Sequence, residues 1–367
     1  MKDLAKDLAK DLVQRLNDTV RGEVLGMHSY VVQDAQGLIK LDAMENPFEL
    51  PADLRERLGR RLAEVPLNRY PGPRAEALRE ALARYAALPE GCGLMLGNGS
   101  DELISLLALA CAKRGATVLA PTPGFVMYEM SARLQGLGFV GVDLREDFSL
   151  DEAAMLEAIR VHRPAIVYLA YPNNPTANLW DEAVMDRLIE AAPGWVVIDE
   201  AYQPFASRSF HDRLKRYPHV LLMRTLSKFG LAGVRLGYLM GERAVIDEID
   251  KVRPPYNVSV LNTEAALFAL EHADEFERQA AVLRRERDTL LAALAALPGV
   301  TVYPSQANMI VVRLPDAQAG FEGLRQRGIL VKNVSHMHRL LANCLRLTVG
   351  TPEENSTLLA ALKATLS

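Results

Sequence analysis

The sequence predicts an α/β protein: a large domain with a mostly parallel sheet flanked by helices, plus a smaller α+β domain. Short apolar runs alternate with segments of helical periodicity from Leu94 to Met223, the pattern that packs helices on both faces of a parallel sheet. Polar and aromatic residues sit where those runs end, which is where ligands collect in such sheets. The make-up is ordinary for a globular chain, with 367 residues, 49% of them hydrophobic.

Composition also excludes partners. A net charge of −4 and a pI near 6.0 favour neither nucleic acid nor an anionic membrane. Cys92, Cys111 and Cys344 lack CxxC or metal-ligand spacing and read as core thiols, so a reducing, cytoplasmic setting is expected. No run is long and apolar enough to span a bilayer. The N-terminus is too charged for a signal peptide.

The elements follow in order. Residues 1–30 form an N-terminal helical arm, where Leu4, Leu8, Leu12 and Leu16 make one apolar stripe on a charged helix. The expected place for that stripe is against its own domain; an arm across a dimer is the alternative. Residues 31–65 and 262–367 are assigned to the small domain and residues 66–261 to the large one. Tyr30 lies in an extended segment, and Gly37 to Pro47 reads as a strand and turn. Residues 51–62 read as a helix. Tyr70 lies in a loop bounded by proline, where a hydroxyl can meet a phosphate or the ring can simply pack. Helix 74–86 leads to a short strand ending in Gly97-Asn98-Gly99, and Ser100 and Asp101 then open a helix. Capping alone explains those two residues, but a glycine-rich entry to a helix N-terminus is also an anion site.

The alternation then runs through strand 117–120, helix 124–137, strand 139–144, helix 151–161, strand 165–170, helix 181–192, strand 195–198 and strand 220–223. After a helix to about Val252, the small domain takes long helical sequence from 262 to 297, strand 302–314, helix 317–327, strand 329–332, the Cys344 strand and a last helix from Glu353.

The stretch Thr225-Leu-Ser227-Lys228 to Arg235 is the chemical focus. A lysine in a partly dry pocket loses its proton more easily, and a neutral amine can form a Schiff base with an aldehyde. Thr225, Ser227 and Arg235 supply the hydroxyls and fixed charge that a phosphate ester needs. Aldehyde plus phosphate points to pyridoxal phosphate; the plain alternative is a surface lysine on a loop. Asp199 ends an apolar run and is expected to be buried, which is costly for a carboxylate without a partner. A protonated pyridine nitrogen would suit it. Asn174 and Tyr202 can bond the ring oxygen and Phe125 can stack on the ring, although each has an ordinary reading as turn, helix-start packing or core. Arg346 lies on an alternating strand and can face the cleft between domains. His336 and His338 lack a carboxylate cluster and are assigned to a polar loop, so no metal is expected.

Asn98-Gly-Ser-Asp-Glu102, Asn173-Asn-Pro-Thr176, Asp199-Glu-Ala-Tyr202, Thr225-Leu-Ser-Lys228, Leu231 to Gly237 and Leu345 to Thr351 resemble, in order and spacing, the fold-type-I pyridoxal-phosphate aminotransferases. The resemblance covers the chain from about Tyr30 onward and looks strongest toward the histidinol-phosphate aminotransferase branch. It implies that Lys228 carries the cofactor and shuttles the proton. It implies Asp199 on the pyridine nitrogen, Asn174 and Tyr202 on the ring oxygen, and Phe125 on the ring face. Gly99, Ser100, Asp101, Thr225, Ser227 and Arg235 would surround the phosphate, with Tyr70 entering from the other subunit of a homodimer. Arg346, Tyr30, Asn46 and Lys332 become substrate candidates. The implied reaction exchanges an amino group between L-histidinol phosphate and 2-oxoglutarate in histidine biosynthesis. An aromatic amino-acid aminotransferase and a threonine-phosphate decarboxylase share the fold, and a cofactor-sensing regulator would need a DNA-binding module for which the N-terminal segment leaves no room. Ala177 replaces the usual glycine of the Asn-Pro-Thr-Gly motif, Phe125 stands where tyrosine is common, and Lys332 where arginine is common.

Overall fold

The structure, a computed structural model, describes residues 2–27 and 33–366, with side chains from Lys10 onward. Its centre is a seven-stranded sheet. Across the sheet the order is Cys92–Gly97, Gly237–Glu242, Val220–Thr225, Trp195–Asp199, Ile166–Ala170, Thr117–Thr122 and Gly138–Asp143. The strands from Val220–Thr225 to Gly138–Asp143 are parallel. Gly237–Glu242 runs antiparallel to both of its neighbours. The sequence reading did not assign that strand.

The central strands are apolar on both sides, and successive residues face opposite layers. Val118, Ile166, Val197, Leu221 and Leu239 form one core, on the side of helices Ser100–Ala110 and Val126–Leu134. Leu119, Val167, Ile198, Leu222 and Met240 form the other, beneath helices Pro73–Tyr85, Glu152–His162 and Glu182–Ala191. Two of those helices start at true caps: Asp151 accepts from the Ala154 N–H at 3.0 Å, and Asp181 from the Ala183 N–H at 2.8 Å. Each cap satisfies an amide that the helix leaves without an internal partner.

A second core gathers around an antiparallel sheet ordered Lys332–Asn333, Cys344–Thr348, Met309–Arg313, Thr301–Val302. Helices Ala273–Ala295, Ala317–Gln326 and Pro352–Leu366 cover it. The expected strand 302–314 is two strands separated by a loop, in which the buried Ser305 hydroxyl donates to the Met309 carbonyl at 2.6 Å. The expected strand 329–332 also divides: Ile329–Leu330 pairs in parallel with Ile39–Lys40, while Lys332–Asn333 joins the antiparallel sheet. The long helical sequence breaks at His272, whose Nδ1 lies 2.7 Å from the Phe268 carbonyl.

The N-terminal helix spans Lys2–Thr19. Its described stripe does not lie on its own domain as expected: Leu12 is 60% exposed and Leu16 is 43% exposed. Leu4 and Leu8 fall in the part whose side chains are not described. Among the described residues no helix is long and apolar enough to cross a membrane.

Ile198 is fully buried in the strand that ends at Asp199. Ile198→Ala removes buried methyl groups and leaves a cavity, so chemical denaturation is expected to show a loss of about 2–5 kcal/mol.

Candidate active site

A cavity of about 130 Å³ opens at the C-terminal edge of the central strands. Met44, Ser100, Asp101, Phe125, Tyr128, Asn174, Asp199, Tyr202, Thr225, Ser227, Lys228 and Arg235 are among the residues that line it. The fold therefore gathers around one space most of the residues that the sequence singled out for a cofactor.

Strand alternation decides which side chains reach it. Asp199 and Thr225 follow Val197 and Met223 on the face toward helices Ser100–Ala110 and Val126–Leu134. Asp199 is buried. It accepts from the Tyr128 hydroxyl at 2.6 Å and from the Ala201 N–H at 3.0 Å, both neutral donors. Burial pushes its pKa up to about 6, while those two hydrogen bonds pull the other way and the charges of Asp101 and Glu200 add to the rise. Tyr128 is itself stacked on Tyr168 at 4.3 Å between ring centroids and set edge-on to Phe125. The sequence alone assigns Tyr128 no role. Its position one helical turn after Phe125 was the available signal.

Lys228 sits in a π-helical turn, Ser227–Leu231, directly after strand Val220–Thr225. Its Nζ donates to the Ala43 carbonyl at 3.1 Å and lies 5.8 Å from the Tyr202 ring centroid. Burial lowers its pKa to about 8, and the Arg346 charge adds to the effect against Glu45 and Asp101. Tyr202 is buried, and desolvation raises its phenol well above the usual range.

Beside Lys228, hydroxyls and a cation collect. The Thr225 hydroxyl donates to the Leu236 carbonyl at 3.0 Å, accepts from the Ser227 N–H at 3.1 Å and lies 2.9 Å from the Ser227 hydroxyl. Arg235 Nη2 lies 3.2 Å from Asp101 in the first turn of helix Ser100–Ala110. Gly99 precedes that helix with φ 84°, and a Cβ there would fall 2.8 Å from Arg235 Nη2. A Cβ on Gly237 would fall 2.7 Å from the Ser100 nitrogen. Side chains at either position would fill the space before the helix N-terminus, where amide dipoles favour an anion.

Arg346 is buried on strand Cys344–Thr348. Its Nη1 donates to Asn174 Oδ1 at 2.9 Å, and its Nη2 to the Asp42 carbonyl at 2.8 Å. Lys332 is its register partner on the adjacent strand, which places both on one face of that sheet. Lys332 is half-buried and does not line the cavity. Asn46 does not line it either: its amide donates to Gln279 at 2.9 Å and its oxygen accepts from the Phe48 N–H at 2.9 Å, bracing the chain beside the Lys228 turn. Tyr70 is 75% exposed and stacks on Tyr256, away from the cavity of its own chain. Tyr30 lies outside the described residues. Ala177 takes φ 64°, the left-handed region that glycine favours, with its methyl buried beside Tyr202 and Ala307. His338 meets Asp143 at 3.0 Å. Among the described residues no group of three or more His, Cys, Asp or Glu is placed to hold a metal.

The donor set fits a planar cationic heterocycle bearing a phosphate and an aldehyde, which describes pyridoxal phosphate. Asp199 lacks only a cation, the Ser100, Thr225, Ser227 and Arg235 groups suit a phosphate, and Lys228 offers an amine near neutrality.

Comparison with known proteins bears on the same point. The family model for aminotransferase class I and II matches residues 36–362, and the chain belongs to that family. It is 70% identical to the histidinol-phosphate aminotransferase of Methylibium petroleiphilum, over 96% of each chain. It is 64% identical to that of Polaromonas naphthalenivorans, over 96% of this chain and 97% of the other. The fold matches the histidinol-phosphate aminotransferase of Sinorhizobium meliloti in complex with pyridoxal-5'-phosphate with a TM-score of 0.83, at 24% identity, over 95% of this chain and 98% of the other. Within its family the chain thus stands among the histidinol-phosphate aminotransferases.

The raised pKa of Asp199 has a stability consequence in the cofactor-free protein. Between its usual value near 3.8 and about 6, the folded state binds more protons than the unfolded one, so the contribution of Asp199 to stability falls as pH rises through that window. Asp199→Asn is expected to be more stable than the parent by about 1–3 kcal/mol at pH 8. The difference should vanish near pH 4, as checked by urea unfolding of both proteins across that range.

Proposed function

We propose that the chain interconverts L-histidinol phosphate plus 2-oxoglutarate and imidazole-acetol phosphate plus L-glutamate, a step of L-histidine biosynthesis. The observation that carries this reading is the convergence of Lys228, Asp199, Asn174, Tyr202 and Arg346 on one cavity and its rim. The high identity to the two histidinol-phosphate aminotransferases favours it over an aromatic amino-acid aminotransferase or a threonine-phosphate decarboxylase.

Bound here, pyridoxal phosphate supplies an electrophilic carbon and an electron sink. The chain's own residues do the rest. Asp199 would hold the pyridinium proton of the ring, the cation that its buried carboxylate needs. Asn174, with its Oδ1 engaged by Arg346, is left with its Nδ2 hydrogens as donors to the ring oxygen, and the Tyr202 hydroxyl serves the same atom. Phe125, in the cavity wall, would lie against the ring. Ser100, Thr225, Ser227, Arg235, Asp101 and the Gly99 turn surround the phosphate. Lys228 would carry the cofactor and, once freed as an amine with a pKa near 8, would move the proton at the substrate Cα. A group near neutrality suits both halves of that task. Arg346 grips the substrate carboxylate or phosphate, with Lys332 as a second cation on the same face. Tyr30 remains a further substrate candidate, and Asn46 supports the Lys228 turn as well as standing in that role.

We assign residues 31–65 and 262–367 to a small domain, 66–261 to the large domain and 1–30 to an arm, in a cytoplasmic homodimer. The exposed Leu67, Tyr70 and Tyr256, together with Leu12 and Leu16 of the N-terminal helix, are apolar surface that a second copy would cover. Tyr70 would then reach the neighbouring phosphate site.

Amino transfer from histidinol phosphate, phenylalanine and tyrosine to 2-oxoglutarate, with a CO₂ assay on phosphothreonine, tests the substrate. A preference for histidinol phosphate of about 100-fold or more in kcat/KM is expected; a preference for the aromatic acids, or CO₂ release, rejects the reading. Lys228→Ala is expected to fold with the parent Tm and to lose turnover by about 10³-fold or more; near-parent turnover would remove Lys228 from its role. Sedimentation is expected to give a dimer, and Tyr70→Ala to weaken cofactor affinity about tenfold; a monomer with unchanged affinity overturns the shared site.

A further inference from the structure

The C-terminal edge of the sheet carries a second set of polar residues behind the cavity. Glu200 follows Asp199, and Arg224 precedes Thr225. Because successive side chains of a strand alternate, both project into the layer opposite the cavity, and both are buried. Arg224 Nε and Nη2 donate to Glu200 Oε2 at 3.0 and 2.8 Å. Glu200 Oε1 accepts from the Phe210 N–H at 2.6 Å and from the Ser209 hydroxyl at 2.8 Å. The Glu200 N–H donates to the Met223 carbonyl at 2.8 Å, so backbone and side chain tie the same two strand ends.

A buried ion pair with this many satisfied hydrogen bonds contributes little net stability, since desolvation offsets the attraction. What it does fix is geometry. One strand end delivers Asp199 and the other leads into the turn that carries Lys228, and a one-residue slip of either strand would turn the residue it delivers away from the cavity. We infer that Glu200 and Arg224 are positioning residues for the amino-transfer reaction, a buried ion pair that locks the Asp199 and Lys228 strand ends together from the reverse face of the sheet. The inference rests on the assignment of Lys228 as the residue that carries the cofactor.

Glu200 also reaches the site electrostatically, since its charge adds to the rise in the Asp199 pKa. The other titratable neighbours of the pair are Tyr85, Tyr171, Tyr238 and His211, and the nearer charges that act on Lys228 are Arg346, Glu45, Asp101 and Arg235. Removing either half of the pair leaves the other as an uncompensated buried charge.

The test is the pH midpoint of the visible absorbance of the enzyme loaded with pyridoxal phosphate. Glu200→Gln leaves Arg224 positive, which disfavours a protonated linkage at Lys228, so the midpoint is expected to fall by about half a pH unit or more. Arg224→Met leaves Glu200 negative, and the midpoint is expected to rise by a similar amount. General loosening would not move the two in opposite directions. A neutral Glu200→Gln, Arg224→Met double variant covers the case in which a single variant fails to fold; it is expected to keep KM while kcat falls about tenfold or more. Midpoints that stay fixed or move together, or a double variant with parent kcat, overturn the inference. If the parent protein itself gives no visible band with pyridoxal phosphate, it is the role of Lys228 that fails.

Discussion

The structure is organised around a buried carboxylate that has no positive charge bonded to it. Asp199 receives only the Tyr128 hydroxyl and the Ala201 N–H, and a carboxylate removed from water is costly on such terms. A core built for stability alone would place an apolar residue at the end of Trp-Val-Val-Ile. The chain instead holds an anion at the base of a cavity and surrounds it with neutral donors, which keep it oriented without satisfying its charge. A cationic ring placed against that carboxylate would offset the cost of burying it. Stability is given up at one position so that binding is directional.

Lys228 shows the complementary case. Its amine is shifted toward neutrality by the same loss of water and by the nearby Arg346. Asp199 is pushed up and Lys228 is pushed down, so each group is moved toward its uncharged form by one shared feature, the dryness of the cavity. The polar residues behind the sheet face the opposite situation. Glu200 and Arg224 are equally buried but bonded to each other. Unlike charges therefore meet on the reverse face of the strands, whereas on the front face Asp199 and Lys228 bond to neutral partners. Residue alternation along two adjacent parallel strands is enough to separate the two.

Much of this was legible in the sequence because it is local. Asp199 directly follows an apolar run, Lys228 follows another, and Ser100 and Asp101 sit at a strand-to-helix junction. In a parallel sheet such positions share one edge by topology, so a list of strand ends is nearly a list of site residues. What was not legible depends on contacts between distant parts of the chain. Tyr128 meets Asp199, Arg346 meets Asn174 and the Lys228 amine meets the Ala43 carbonyl across separations of 71, 172 and 185 residues. No periodicity records such contacts. The same limit explains the divided strands at 302–314 and 329–332: apolar character marks burial, but the sheet a residue joins is set by partners elsewhere. The leucine stripe of the N-terminal helix was read correctly as amphipathic, but its expected partner was wrong, because amphipathicity shows only that a face needs cover.

The segment Leu41–Met44 shows how the two cores are tied at the site. The Leu41 carbonyl accepts from the Thr348 N–H at 3.0 Å, and that of Asp42 accepts from Arg346 at 2.8 Å. Ala43 accepts from Lys228 at 3.1 Å, and Met44 from the buried Asn308 amide at 3.0 Å. Four consecutive carbonyls therefore bind groups from both cores, and three of them engage strands of the small sheet or the loop beside it. Only the Ala43 bond goes to Lys228, the group that in its proposed role would change protonation and bonding during amino transfer. When the Lys228 amine is committed elsewhere, Ala43 loses its donor while its neighbours keep theirs. The segment is thus held by three bonds that do not involve Lys228, and these place Met44 in the cavity wall. An anion held by Arg346 is in turn positioned against a rigid element. This is the condition under which binding a remote charged group on the substrate orients the atom that reacts.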